Sequence, residues 1–295
     1  GFGMLQNLTF VYDSIIYMLK GPFLDKDFIG SNKNYDKSDI VLIGMPYDGT
    51  CTNRPGTRFA PQQIRVESIG IETYSPYFDV DIQDINFYDA GDLEFPFGNA
   101  GKMLNIVQDN VECIYKDKKK ILGLGGEHLV TLGTIRALNK IYDNLAVIQF
   151  DAHTDLREEY LGEKYTHSGI MFQIAKLIGF ENIAQVGIRS GEKQEFMLMQ
   201  KYNTHKLSPS ELDCFKNKNV FVTIDLDVFD PSLMSGVGTP EAGGMNYIEL
   251  INWLKHIKDF NIIGLDIVEL APDIDITKTS TATACKLIRE ALTLL

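Results

Sequence analysis

The sequence predicts an α/β fold of three layers, with a central, mainly parallel sheet between helices, on three observations. Short β-branched apolar runs alternate with segments of helical period along the 295 residues. Motifs rich in Asp and His directly follow several of those runs, as expected at the carboxyl ends of parallel strands, where α/β sheets collect ligands. No Pro/Gly-rich linker, repeat or low-complexity stretch divides the chain. With 44% hydrophobic residues, one large domain is more economical than two.

Taken in order, Gly1-Phe2-Gly3 ahead of Met4 reads as an expression scar, leaving a single expected domain over 4–295. Residues 4–37 form an extension in which Phe10, Tyr12, Ile15, Ile16 and Tyr17 suggest a short helix packed on the core or on a subunit neighbour. Strands are expected near 39–45, 85–89, 120–124, 145–150, 183–188, 220–225 and 262–268, each a run rich in Val, Ile, Leu or Phe. Helices are expected over Pro61–Glu67, Leu129–Lys140, Gly191–Tyr202, Tyr247–Lys258 and Thr279–Leu294, where apolar positions recur at helical spacing. Strands alternating with helices give a mainly parallel sheet covered on both faces.

Three strand ends carry the chemistry. Leu145–Phe150 runs into Asp151-Ala152-His153-Thr154-Asp155, Val220–Ile224 into Asp225-Leu226-Asp227-Val228-Phe229-Asp230-Pro231, and Lys120–Leu122 into Gly123-Leu124-Gly125-Gly126-Glu127-His128. Either acidic run alone could be a solvated loop. Four aspartates and two histidines brought to one sheet edge repel, since unit charges ~4 Å apart at an effective dielectric near 20 cost about 4 kcal/mol per contact. Cations must offset that cost. Imidazole with carboxylate suits Mn, Fe, Ni or Zn, and a shared Asp can bridge two ions. Ligation rich in oxygen, without thiolate, favours manganese. Asp230, in an Asp-Pro pair after a strand, reads as a turn residue.

These motifs resemble the signatures of the ureohydrolase family, the arginase and agmatinase group. Gly264-Leu265-Asp266-Ile267-Val268-Glu269-Leu270-Ala271-Pro272, Arg54 to Arg65 and Asp89-Ala90-Gly91-Asp92 are similar to further motifs of that family, so the likeness spans roughly residues 38 to 290. It implies an arginase-like fold and two Mn2+ ions per subunit. One would be held by His128, Asp151, Asp155 and Asp225. The other would be held by Asp151, His153, Asp225 and Asp227, with Asp151 and Asp225 bridging. All six positions hold the expected residue types, which favours an active enzyme over a noncatalytic regulator of polyamine metabolism. The same complete set disfavours a single-metal deacetylase relative.

Metal coordination can lower the pKa of water from 15.7 to about 7, so a bridging hydroxide is the expected attacker on a guanidinium carbon, oriented by Asp155. The amine leaving group, whose conjugate acid has a pKa near 10, needs a proton. His167, in Tyr165-Thr166-His167-Ser168-Gly169, is the candidate donor because imidazole passes protons both ways near neutral pH. The resemblance, which places a proton-shuttling histidine in this context, raises it above an ordinary loop histidine. Glu269, at the end of the last strand, can pair a guanidinium bidentately. Asp48 holds a comparable strand end, where it could equally brace a loop. His205 and His256 lack acidic motifs beside them and read as solvated.

Substrate choice rests on residues 156–166, where Glu158, Glu159 and Glu163 disfavour a substrate carboxylate and tolerate an ammonium. Asp-Leu-Arg-x-x-Tyr followed by Tyr-Thr-His-Ser resembles the agmatinase subgroup, implying hydrolysis of agmatine to putrescine and urea. Arg157 could instead recruit the carboxylate of 4-guanidinobutyrate, or pair with a neighbouring glutamate; arginine is a further alternative. Asn53 is a second candidate substrate contact.

The net charge of −12 disfavours nucleic acid and is compatible with a dicationic substrate. The chain shows no apolar run long enough to span a bilayer and no signal peptide. Its four cysteines, 51, 113, 214 and 285, form no Cys-x-x-Cys pair, so a cytoplasmic enzyme is expected. Gly123-Leu124-Gly125-Gly126 lacks the third glycine of a dinucleotide fingerprint and the lysine of a phosphate loop. The resemblance implies a homo-oligomer, trimer or hexamer.

Overall fold

The structure, a computed structural model, describes residues 26–295. Eight strands form one sheet in the order β4-β1-β5-β10-β9-β6-β7-β8, and every pairing within it is parallel. They are β1 (Ile40–Met45), β4 (Phe87–Asp92), β5 (Lys120–Gly125), β6 (Leu145–Phe150), β7 (Ile183–Val186), β8 (His205–Lys206), β9 (Asn219–Asp225) and β10 (Asn261–Val268). A small antiparallel pair, β2 (Tyr74–Ser75) with β3 (Val80–Asp81), stands apart.

Parallel strands are covered on both faces, so their runs are apolar throughout rather than alternating. The alternation appears in which layer each side chain joins. Ile40 and Leu42 of β1, with Ala146, Ile148 and Phe150 of β6, pack under α1 (Ala60–Ser68), α6 (Tyr247–Ile257) and α7 (Thr279–Leu292). Val41, Ile43 and Met45, with Leu145 and Val147, pack under α2 (Ala100–Lys116), α3 (Val130–Ile141), α4 (Ile170–Ile178) and α5 (Lys193–Tyr202). Each fully buried Val, Leu, Ile, Met or Phe side chain contributes roughly 1.5–3 kcal/mol. The expected three-layer fold is present, with element bounds shifted by a few residues.

Among the helices and strands, α2, α4, the two-residue β8 and the small β2–β3 pair lie outside the sequence reading. The fourth strand runs through Asp89-Ala90-Gly91-Asp92 rather than ending at Asp89. The expected scar and the apolar positions at 10–17 lie outside the described residues. Of the extension, residues 26–37 are seen against the core: Phe28 is buried, and its N–H donates to Asp89 Oδ2 at 2.8 Å. Among the described residues no helix is long and apolar enough to cross a membrane.

Candidate metal centre and active site

The four central strands β5, β10, β9 and β6 are neighbours in the sheet, and their carboxyl ends deliver His128, Glu269, Asp225 and Asp151 to one edge. The turn after β5 needs glycine at 126, because a Cβ there would overlap the backbone of Tyr47. The Asp-x-His and Asp-x-Asp spacings have a local cause. Asp151 Oδ1 accepts from the N–H of His153 at 2.6 Å and Asp225 Oδ1 from that of Asp227 at 2.9 Å, so each run closes an Asx turn. The N–H of Ala152 donates to Asp227 Oδ1 at 3.0 Å, tying the two runs together.

Two ligand groups result: His128, Asp151 and Asp225, and Asp151, His153 and Asp227. Asp151 belongs to both, while Asp225 falls only in the first. Asp155 Oδ2 lies 3.4 Å from His128 Nδ1, beside the first group. His128 is fully buried, and its Nε2 is held by the Thr223 hydroxyl at 2.8 Å. Its Nδ1 has no hydrogen-bond partner and faces carboxylate oxygens of Asp151 at 3.1 Å and of Asp155 and Asp225 at 3.4 Å. A buried, unpartnered nitrogen among three carboxylates fits a cation.

The electrostatics agree with that fit. Burial, reinforced by the Asp151 charge, pushes Asp155 up to about 7, and burial with Asp227 and Asp151 raises Asp225 well above the carboxylate range. Burial also opposes ionisation of Asp151, but the adjacent imidazoles of His128 and His153 outweigh it and hold Asp151 low. His153 is driven up to about 12 despite its burial, because Asp151 and Asp227 grip its proton. These protons substitute for positive charge that divalent ions would bring, and metal binding would release them.

Asp155 and Glu269 both occupy left-handed backbone, at φ 51° and 68°, a conformation that costs a non-glycine residue about 1 kcal/mol or more. Glu269 is anchored twice: its N–H donates to the Gly126 carbonyl at 2.9 Å and its Oε1 accepts from His128 N–H at 2.7 Å. It lines a cavity of about 330 Å³ together with His153, Asp155, Arg157, His167 and Asp225. Asp48 is buried and accepts from Gly56 N–H at 3.0 Å and from Arg58, bracing the loop after β1. Asp230 closes a turn by accepting from Ser232, Gly243 and Gly244.

His167 begins a short 3-10 turn, with its N–H on Thr50 Oγ1 at 3.0 Å and its Nε2 3.2 Å from Thr52 Oγ1. Burial, aided by His153 and His128, lowers it to about 4. That lies below the value near 6.5 that the sequence reading assumes. Thr50 is itself gripped by the buried Glu127, through its N–H at 2.7 Å and its hydroxyl at 2.5 Å.

The rim differs from the sequence expectation. Arg157 lines the cavity, but its guanidinium lies 3.2 Å from Glu192 and 3.7 Å from Glu195 and sits over the Tyr160 ring. Glu158, Glu159 and Glu163 are exposed and do not line this cavity; the acidic rim comes from Glu192 and Glu195 at the start of α5 instead. Their i, i+3 spacing is a capping box, a signal present in the sequence but read there only as helix. Asn53 also does not line the cavity, because its Nδ2 is engaged by the Gly238 carbonyl at 3.1 Å. His256 is not simply solvated: it pairs with Asp213 at 2.8 Å.

A three-layer parallel sheet with two clusters of His and Asp at its carboxyl edge defines a class, and residues 38–294 match the Arginase family. The chain belongs to that family and is a ureohydrolase. Relatives named agmatinase include those of Halalkalibacterium halodurans, 43% identical over 90% of this chain and 96% of its own length, and Bacillus subtilis, 44% identical over 90% and 95%. The agmatine ureohydrolase structure from Thermoplasma volcanium superposes with a TM-score of 0.83 at 27% identity, covering 95% of this chain and 97% of that one. A Clostridium difficile structure, provisionally assigned as an agmatinase, gives 0.85 at 42% identity over 88% and 98%.

Proposed function

We propose that this enzyme hydrolyses agmatine to putrescine and urea with two Mn2+ ions. One observation carries the choice of substrate: Arg157 is balanced by Glu192 and Glu195, so the cavity rim keeps no cation for a substrate carboxylate and retains negative charge suited to an ammonium. That weighs against arginine and 4-guanidinobutyrate, and the relatives named agmatinase support it.

His128, Asp151, Asp155 and Asp225 would hold one ion, and Asp151, His153, Asp225 and Asp227 the other. Bound there, the ions would supply an acidified water as nucleophile. Glu269 pairs with the guanidinium and fixes its plane. The Asp155 carboxylate orients the attacking oxygen and accepts its hydrogen bond. His167 draws a proton from solvent and passes it to the leaving alkylamine, so it works as a shuttle rather than a stored acid. Thr52 aims that ring through its hydroxyl, and Thr50, held by Glu127, fixes the backbone from which it projects. The same reading takes 4–295 as one domain of a cytoplasmic trimer or hexamer.

The test is urea release with Mn2+ from agmatine, arginine and 4-guanidinobutyrate in parallel, with His153→Ala as control. Urea from agmatine alone, lost in the control, is the expected result. Urea only from guanidinobutyrate would reassign Arg157 to the substrate carboxylate, and no urea from any of the three with both ions bound would refute the activity.

A further inference from the structure

His153 turns Nδ1 inward, 2.8 Å from Asp227 Oδ2 and 3.6 Å from Asp151 Oδ1. Once Nδ1 gives its lone pair to a metal, the neutral ring must carry its hydrogen on Nε2, and that donor needs an acceptor to fix the ring plane. Among the described residues one carboxylate lies in ion-pair range of Nε2: Glu241, whose Oε1 is 3.8 Å away. The gap is one that a side-chain rotation or a bridging water spans.

Glu241 is not a freely swinging surface acid. Ser190 Oγ donates to the same Oε1 at 2.9 Å. Its peptide carbonyl accepts from Arg189 Nη2 at 2.7 Å and from Nε at 3.3 Å. Nη2 also reaches the carbonyl of Asp227 at 2.7 Å, and Nη1 those of Gly187 and Val228 at 3.2 and 3.3 Å. A guanidinium whose hydrogen bonds all go to peptide carbonyls ties the Asp227 loop to the Glu241 loop. Glycine at 244 leaves it room, since a Cβ there would press on both Arg189 and the Asp230 peptide.

We propose that Glu241 is a positioning residue for the second metal position, acting as the outer carboxylate that orients His153 through Nε2, with Ser190 aiming the carboxylate and Arg189 holding its loop against that of Asp227. The inference rests on the two-ion reading above.

The experiment measures Mn2+ stoichiometry and stepwise affinity by chelator competition and elemental analysis on the full chain, for wild type, Glu241→Ala, Glu241→Gln and Ser190→Ala. Loss of an outer-sphere partner typically weakens metal affinity 10–100-fold. Glu241→Ala should weaken the second ion by that factor, leaving the first ion and the melting temperature of the metal-free protein unchanged. Glu241→Gln should recover most of the loss, because its amide oxygen still accepts. Ser190→Ala should show a smaller loss of the same kind, and keeps the question open to test if Glu241→Ala fails to fold. Unchanged second-ion affinity would overturn the proposal, as would a raised KM for agmatine at equal metal loading, which would place Glu241 on the substrate. Wild type binding fewer than two ions would instead refute the reading beneath it.

Discussion

At the scale of single residues, the proposed chemistry and the proposed choice of substrate fall to different groups. His167→Asn should keep both metals and lower kcat for urea release by about 10²–10⁴-fold, the range for losing a general acid–base group; a normal metal content with unchanged kcat would remove His167 from the reaction. Glu192, with its side chain 60% exposed, carries a weaker effect. Glu192→Gln should raise KM for agmatine roughly fivefold with kcat nearly constant, because a partly solvated charge contributes about 1 kcal/mol or less to binding. The same variant leaves Arg157 with Glu195 alone, so turnover of 4-guanidinobutyrate should rise. The convergence of Asp151, His153, Asp225 and Asp227 was legible because Asp-x-His and Asp-x-Asp encode their own Asx turns. Glu192 and Glu195 were not legible as site residues, since their proximity to Arg157 exists only once α5 packs beside the loop after β6. Asn53 is the converse case: its distance from Gly238 in sequence concealed the hydrogen bond that occupies its amide.

At the scale of elements, caps and turns hold the sheet edge in place. Gly126→Ala should destabilise the protein by roughly 2–4 kcal/mol, since the added methyl meets backbone that cannot move without shifting His128; chemical denaturation of the metal-free protein checks this. Asp275 accepts from Ser280 N–H at 2.8 Å in the first turn of α7, and from Thr277 at 2.9 Å. Burial opposes its charge, but these hydrogen bonds prevail and lower it to about 2. Its folded pKa is below the unfolded value near 3.9, so its contribution is complete above pH 4 and is lost as pH falls through 2. Asp275→Asn should therefore cost about 1–2 kcal/mol at pH 6, and the gap to wild type should close by pH 2. Strands were readable from their unbroken Val/Ile/Leu runs. The α2 helix was missed because its buried Met103, Leu104, Val107 and Val111 are interleaved with Asn, Gln, Asp and Glu and lack a strong start signal beyond Asn99.

For the whole molecule, the ligand-bearing edge places four buried aspartates together, and ions that bind only the folded chain must stabilise it. At Mn2+ about 100 times its Kd, one site adds about 2.7 kcal/mol. For a chain of this size that corresponds to a melting temperature higher by about 5 °C or more than in excess chelator. A melting curve indifferent to Mn2+ and chelator would contradict it. The three-layer architecture was legible because period and order of elements survive without tertiary detail. Strand order was not, because adjacency in the sheet is decided by which helices cross which face.

That order has a consequence for how the protein is made. Strand β10 follows both β5 and β9 in the chain, yet inserts between them at the centre of the sheet. Until it leaves the ribosome, β5 and β9 each expose an unpaired, apolar edge, and the sheet halves they belong to cannot join. At roughly 5–20 residues per second, the wait between the emergence of β5 and that of β10 is on the order of ten seconds or more. For most of it the Asp151–Asp155 run is already out of the exit tunnel, while His128 still lacks the Glu269 carboxylate that holds its peptide. The anchored position of His128 at the sheet edge is thereby completed only once β10 has been made.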